Sequence, residues 1–387
     1  MQIVKGYDKA ANIIYYIAVM IHIVIMCVGY SVWEIPLRGR LMQLAFALCC
    51  VKILMTQYEK VEWILIAIIG ALSIASYVCT KEKYVVYVAV LIIAARNVDI
   101  RFILSVILGS VLVSLGLVTV LSLASVGGDI LETRDFGRGI VETRYMLGFS
   151  HANNLHGTVW YALAIVTLLL KDKLDWKFYS LATIFNIVLY LMTRSRAGIV
   201  VVQLVIIAGV LYRYCNKTVF EKTWVYILGV LAYVGTIALT LVSVIVNPWT
   251  GYGKILTKLN DILTYRIKLA YESAYIGDWN AMTVGGSHKD TIDNGFVAVP
   301  ADYGYVIAIL FVVFIAYMIF KTYKNKDGIL YVILMSAVFY TFMERSYMIN
   351  NAYLLSNLIY VVAMVLISKN KIMDHYDITD ETVISDK

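Results

Sequence analysis

Four short polar clusters carry most of the residues that could do chemistry in an otherwise apolar chain. The stretch "YMLGFSHANNLHG", residues 145–157, crowds Ser150, His151, Asn153, Asn154 and His156 at the mouth of a long apolar run. "YLMTRSRAGIVV" sets Arg194 and Arg196 at a turn between two further runs. "GGSHKDTIDNGFVAVPADYGYV" brings His288, Asp293 and Asn294 ahead of a run holding Pro300 and Asp302, and "FMERSYMINN" places Glu344 beside Arg345. A guanidinium is planar, stays charged at any relevant pH and grips phosphate through two parallel N–H bonds. The free N–H groups at a helix start add a second kind of anion site. Histidine and carboxylate side chains can take the proton of a reacting hydroxyl. These residue types therefore point to an anion held next to a proton acceptor.

Each cluster also has a plainer reading. One side chain of "SHANN" is expected to cap the helix that follows, which accounts for one or two of its polar residues. His151 and His156 lack the partners and spacing of a metal pair. Residues two apart in a helix point about 200° from each other, so Arg194 and Arg196 can share one anion only if the backbone breaks between their helices. Gly198 permits such a break without requiring it. Arginines at helix ends can also snorkel to lipid headgroups, and the adjacent Glu344 and Arg345 can simply neutralise one another.

The elements that must position these residues are membrane helices. The chain has 387 residues, 61% hydrophobic and 15% charged, with a mean hydropathy of +0.78. Soluble domains carry about a quarter charged residues, so bilayer is the expected solvent. The five cysteines suggest neither a disulfide framework nor a metal motif, and the net charge of +7 suits a membrane surface better than nucleic acid. Spans of about 20 apolar residues give about 12 crossings. They fall near 12–30, 41–56, 61–79, 84–95, 102–126, 155–170, 176–193, 198–212, 223–246, 296–320, 328–343 and 348–367. Residues 1–367 then form one transmembrane domain with long segments at 127–154 and 247–295, followed by a polar tail at 368–387. No internal repeat is evident.

Basic turns "KDKLDWK", "RYCNKTVFEK" and "KTYKNKD" place both termini in the cytoplasm, and the long segments and "TRSRAG" outside. Arg144, Arg194, Arg196 and Arg345 then converge on the outer face, against the usual bias. In the second long segment, Ile255, Leu259, Ile262, Leu263, Ile267, Ala270 and Ala274 recur at helical spacing, with Lys254, Lys258 and Lys268 off the stripe. That pattern predicts an amphipathic helix lying on the outer leaflet, or a lid packed on the bundle. A kink is expected at Pro300.

The order and sidedness of "GFSHANN", "SRAG" and "H…DNGF…DYG" resemble the O-antigen ligase and Wzy-type polysaccharide polymerase superfamily. The resemblance implies an all-α polytopic protein with a C-type glycosyltransferase bundle and a large outer loop. It implies a metal- and cofactor-independent transfer of undecaprenyl-diphosphate-linked glycan on the outer face of the bacterial cytoplasmic membrane. The product would be a capsular, O-antigen-like or exopolysaccharide chain built on lipid-linked oligosaccharide. Membrane lipid and a chain-length regulator protein would be partners. By position, Arg196 matches the family arginine implicated in diphosphate binding, with Arg144 and Arg194 as helpers. His288 corresponds to the loop histidine of the ligases, while "DNGF" is more typical of polymerases; Asp293 and Glu344 are the other base candidates. His151, Asn153, Asn154, Asn294 and Arg345 are expected to bind substrate. Ala152 and Lys289 depart from the pattern, where many relatives carry proline and ligases carry asparagine. Alternatives are a ligase acting on another acceptor, or a transporter of lipid-linked sugars, which would show paired half-repeats.

Overall fold

A computed structural model describes residues 2–29, 37–126, 128–135, 141–214, 219, 222–247, 253–263, 265–276, 292–344 and 357–368. His288, Arg345 and the tail beyond Ser368 lie outside these residues. The described chain runs α1 (Gln2–Gly29), α2 (Arg38–Met55), α3 (Lys60–Thr80), α4 (Tyr84–Ile93), α5 (Ile100–Leu123), β1 (Leu131–Asp135) and β2 (Val141–Tyr145). It continues through α6 (Ala152–Leu170), α7 (Trp176–Thr193), α8 (Arg196–Tyr214), α9 (Thr223–Ile245), α10 (Gly253–Ile262) and α11 (Arg266–Ile276). It closes with α12 (Gly295–Lys324), α13 (Gly328–Met343) and α14 (Leu358–Ile367).

Each expected apolar segment overlaps a helix, and among the described residues five helices are long and apolar enough to cross a membrane: α3, α5, α8, α9 and α12. Shorter apolar helices lie at Lys9–Ile25, Tyr84–Ile93, Gly328–Met343 and Leu358–Ile367. The outer helices are amphipathic in the inverted sense. α3 turns Val61, Trp63, Ile64, Leu65, Ile68 and Ile69 outward, and its buried residues are Ser73 and Ser76. α9 exposes Ile227, Leu228, Leu231 and Val234 while burying Tyr226, Tyr233, Thr240 and Ser243. In water the hydrophobic effect would reverse both faces; hydrocarbon removes that force and leaves hydrogen bonds and close packing to hold helices together. The Ser76 hydroxyl donates to the Tyr303 carbonyl at 3.3 Å and the Tyr233 hydroxyl to the Val312 carbonyl at 2.8 Å, both on α12. This is a helical, membrane-embedded protein.

Cross-helix contacts sort the polar residues into two ends. At one, the start of α6, the α7–α8 turn, the end of α13 and the start of α12 come together beside the β1–β2 hairpin and α11. At the other, the Lys52 ammonium donates to Thr56 at 2.9 Å and to the Arg96 carbonyl at 3.2 Å, and Arg96 pairs with Glu62 at 2.8 Å. There too Lys171 meets Asp327 at 3.8 Å, and the Lys326 ammonium sits 4.0 Å from the centre of the Tyr323 ring.

Three local features differ from the sequence reading. The segment 127–154 holds an antiparallel hairpin built on a short repeat, "LETRD" and "VETRY", in which Glu132 faces Arg144, Thr133 faces Thr143 and Arg134 faces Glu142. An antiparallel pairing of Glu-Thr-Arg with itself sets each acid opposite a base, so the repeat fixes its own register. The break in α12 falls at Gly304 (φ 83°, ψ 169°), not at Pro300, because that backbone conformation is open to glycine alone. The long amphipathic helix is two helices, divided at Tyr265 in a left-handed conformation (φ 63°). The Asn260 carbonyl accepts from the Tyr265 N–H at 2.7 Å, and its side chain from the Lys268 N–H at 3.0 Å. α11 packs on the bundle, with Ala270 buried against Ile292, Val297, Ala298 and Ala301.

Candidate active site at the hairpin end

The first turn of α6 supplies two of the expected residues. His151 is the cap itself, its Nδ1 accepting from the Asn153 N–H at 3.1 Å. With that lone pair engaged, a neutral ring carries its proton on Nε2, a hydrogen-bond donor. Burial, then the charges of Arg134, Arg144 and Arg266, push this histidine down to about 4, so the ring is neutral at physiological pH. Asn154 is bound locally, donating to Ser150 Oγ at 2.9 Å. Asn153 instead reaches across the bundle and donates to Glu344 Oε1 at 2.9 Å. The Tyr340 hydroxyl, one turn before Glu344 on α13, donates to the Asn153 carbonyl at 3.3 Å.

Glu344 ends α13 and is buried. Its Oε1 also receives the Arg266 guanidinium at 2.5 Å. Arg266 donates further to the Met343 carbonyl, one of the carbonyls a helix end leaves unpaired. The carboxyl is pushed up to about 7 by burial; Arg266 and Arg144 oppose that shift, and Asp293 reinforces it. A carboxyl titrating near 7 can accept a proton and release it again, as a general base must.

Arg144 lies on β2 with its side chain turned into the protein, its Nη2 2.9 Å from Glu142 Oε2. Asn294 caps α12, accepting from the Phe296 N–H at 2.9 Å and donating to Thr240 at 3.4 Å, so its amide is used structurally. Arg194 takes the left-handed conformation (φ 54°) that closes α7, and Arg196 opens α8. The break needed for the two arginines to share an anion is thus at Arg194 itself. Gly198 serves a different purpose: a Cβ there would meet the His156 ring at 2.5 Å. Both arginines are exposed, and neither is among the charges that perturb His151 or Glu344.

No known family, curated protein or solved structure matches this chain. The site must therefore be read from its own geometry. It joins Arg144, His151, Asn153, Asp293 and Glu344 with Arg266, which sequence reasoning did not single out. Arg266 sat unremarked in "TYRIKLAY", and its partner lies 78 residues further on. Among the described residues, no group of three His, Cys, Asp or Glu side chains could hold a metal ion. The arrangement offers fixed cations and a neutral imidazole donor for an anion, beside a buried carboxyl able to take a proton.

Proposed function

We propose that this protein is a membrane-embedded glycosyltransferase of the polysaccharide-polymerase kind. It transfers an undecaprenyl-diphosphate-linked glycan onto a lipid-linked repeat unit at the hairpin end, on the outer face of the bacterial cytoplasmic membrane. One observation carries the reading: Glu344, buried and pushed up to about 7, pairs with Arg266 and Asn153, and the charges of Arg144 and Arg266 act on both it and His151. Breaking a sugar–diphosphate bond requires the departing diphosphate to be stabilised, and fixed guanidinium groups supply that charge from the protein itself. The acceptor hydroxyl must lose a proton, which Glu344 takes. Arg144, Arg266, Arg194 and Arg196 bind the diphosphate, with His151 Nε2–H as a neutral donor; burial, reinforced by Asp293, holds the Glu344 proton affinity high. His288 and Arg345 complete the proposed set on sequence grounds.

Purified protein in liposomes, supplied with undecaprenyl-diphosphate repeat units from a host strain, should build a ladder of longer glycans. Arg196→Ala and Asn153→Ala should insert normally and make little polymer. Failure of the wild-type protein to lengthen any supplied unit, with the units intact and outward-facing, would overturn the reading.

A further inference from the structure

His156 is an ionisable residue fully buried among α6, α7 and α8, a placement that membrane interiors rarely tolerate without a use. Both ring nitrogens are engaged. Nε2 lies 3.0 Å from Asn186 Oδ1, and Nδ1 lies 3.0 Å from Thr193 Oγ1. The Asn186 amide nitrogen already donates to the Ile199 carbonyl at 3.1 Å and to Gln203 at 3.3 Å, so Asn186 Oδ1 is an acceptor and the histidine proton sits on Nε2. Nδ1 then needs a donor, and the Thr193 hydroxyl is the one within reach. That hydroxyl is also 2.8 Å from the Leu189 carbonyl, but the helix ladder already serves the carbonyl.

Followed outward, each nitrogen leads through one side chain to the backbone at the arginine turn or in the first turn of α8. Thr193 Oγ1 accepts from the Ser195 N–H at 3.4 Å, between Arg194 and Arg196. Asn186 holds the Ile199 carbonyl in the first turn of α8. Between these points, α8 rests on the imidazole ring itself through Gly198. Ser195 Oγ accepts from the Gly198 N–H at 3.3 Å and closes the turn. A buried histidine that merely filled space would need none of this convergence. His156 also sits on the helix turn after Asn153, so the same side chain ties the arginine turn to the rim of the site.

We infer that His156 is a positioning residue: it sets the Arg194–Arg196 turn at a fixed place and angle relative to the His151–Asn153 rim, so that guanidinium groups from the turn and donors from the rim can close on one diphosphate. Thr193, Asn186 and Gly198 are the other parts of the device. The inference rests on the proposed diphosphate site, and its test separates the two.

The test uses a cysteine-depleted protein with nitroxide labels at Leu191→Cys and Val200→Cys, two exposed positions flanking the turn but outside the site. Electron–electron distance measurements should give one narrow distribution in the parent and in Thr193→Ser, which keeps the hydroxyl. Thr193→Val keeps the shape and loses the hydroxyl, and His156→Phe loses both ring bonds; each should broaden the distribution. Binding of undecaprenyl diphosphate in detergent micelles should weaken about tenfold in these two variants and stay near the parent value in Thr193→Ser. An unbroadened distribution in both Thr193→Val and His156→Phe would overturn the positioning role. A parent that binds no undecaprenyl diphosphate would sink the diphosphate reading instead, and the distances alone would then decide whether His156 sets the turn.

Discussion

The two ends of the helix bundle use the same residue types to opposite effect. At the end away from the hairpin, charged side chains meet partners from neighbouring helix ends. Arg96 is paired with Glu62, the latter partly exposed, and Lys52 is satisfied by a hydroxyl and a carbonyl. At the hairpin end, Glu344 is buried, gathers its donors from α6 and α11, and is held far from its ordinary proton affinity. Pairing between neighbouring helix ends, with the carboxylate partner still partly exposed, anchors those ends. Pairing across three elements in a dry site leaves a carboxyl poised to change its charge. Neither composition nor separation in sequence distinguishes the two; the far-end carboxyl Glu62 stays partly exposed, whereas Glu344 is buried.

The largest expected effect comes from removing the poised carboxyl. Glu344→Gln should lower glycan transfer by about 100-fold or more, the lower range for loss of a general base, while membrane yield is retained. Transfer at a wild-type rate would reduce Glu344 to an anchor like those at the far end.

Next comes Arg266→Ala, which strips the ion pair and the cap of α13 together. It should cost about 2 kcal/mol of stability, less than a fully committed buried pair because Glu344 can take up a proton. Thermal unfolding in detergent checks this. Arg266→Lys should recover part of the stability but less of the transfer, since the ammonium lacks the planar fork.

Stability against pH gives a sharper contrast. The folded Glu344 carboxyl is raised from 4.5 to about 7. Between those values the folded protein holds a proton that the unfolded chain has released, so stability falls as pH rises through the window. His151 is lowered from 6.5 to about 4. Between those values the unfolded chain holds the extra proton, and stability rises with pH. The two slopes oppose each other from about pH 4.5 to 6.5. His151→Gln should therefore expose a melting temperature that falls across this range, and Glu344→Gln one that rises. Identical profiles in both variants would show that neither group is perturbed by burial.

The smallest effect is expected at the far end. Glu62→Gln should cost at most about 1 kcal/mol and leave transfer unchanged, because the lost pair is partly solvated. A strong loss of transfer there would erase the distinction between the ends.

Much of this was legible in the sequence because it is local. The apolar runs gave helices at the expected places, and "SHANN" contained the cap it promised. What escaped reading depends on partners far apart in the chain. Asn153 and Glu344 are 191 residues apart, and Arg266, directly after the left-handed Tyr265, is 78 residues from Glu344. The hairpin was missed for another reason: its signal is a three-residue repeat of charged and β-branched residues, too short to register against the hydropathy of its surroundings. The kink expected at Pro300 illustrates competing local causes. A proline inside a helix loses one hydrogen bond, whereas Gly304 alone can take the conformation that redirects the chain.

That glycine also marks a depth. From Gly304 to Lys324 the helical rise gives about 30 Å, the thickness of a bilayer's hydrocarbon slab. The nine residues from Gly295 to Tyr303 add about 13 Å of helix on the other side of the bend, which Asn294 caps and Asp293 precedes. On the proposed function, the bend in α12 would divide one lipid-linked substrate between two solvents.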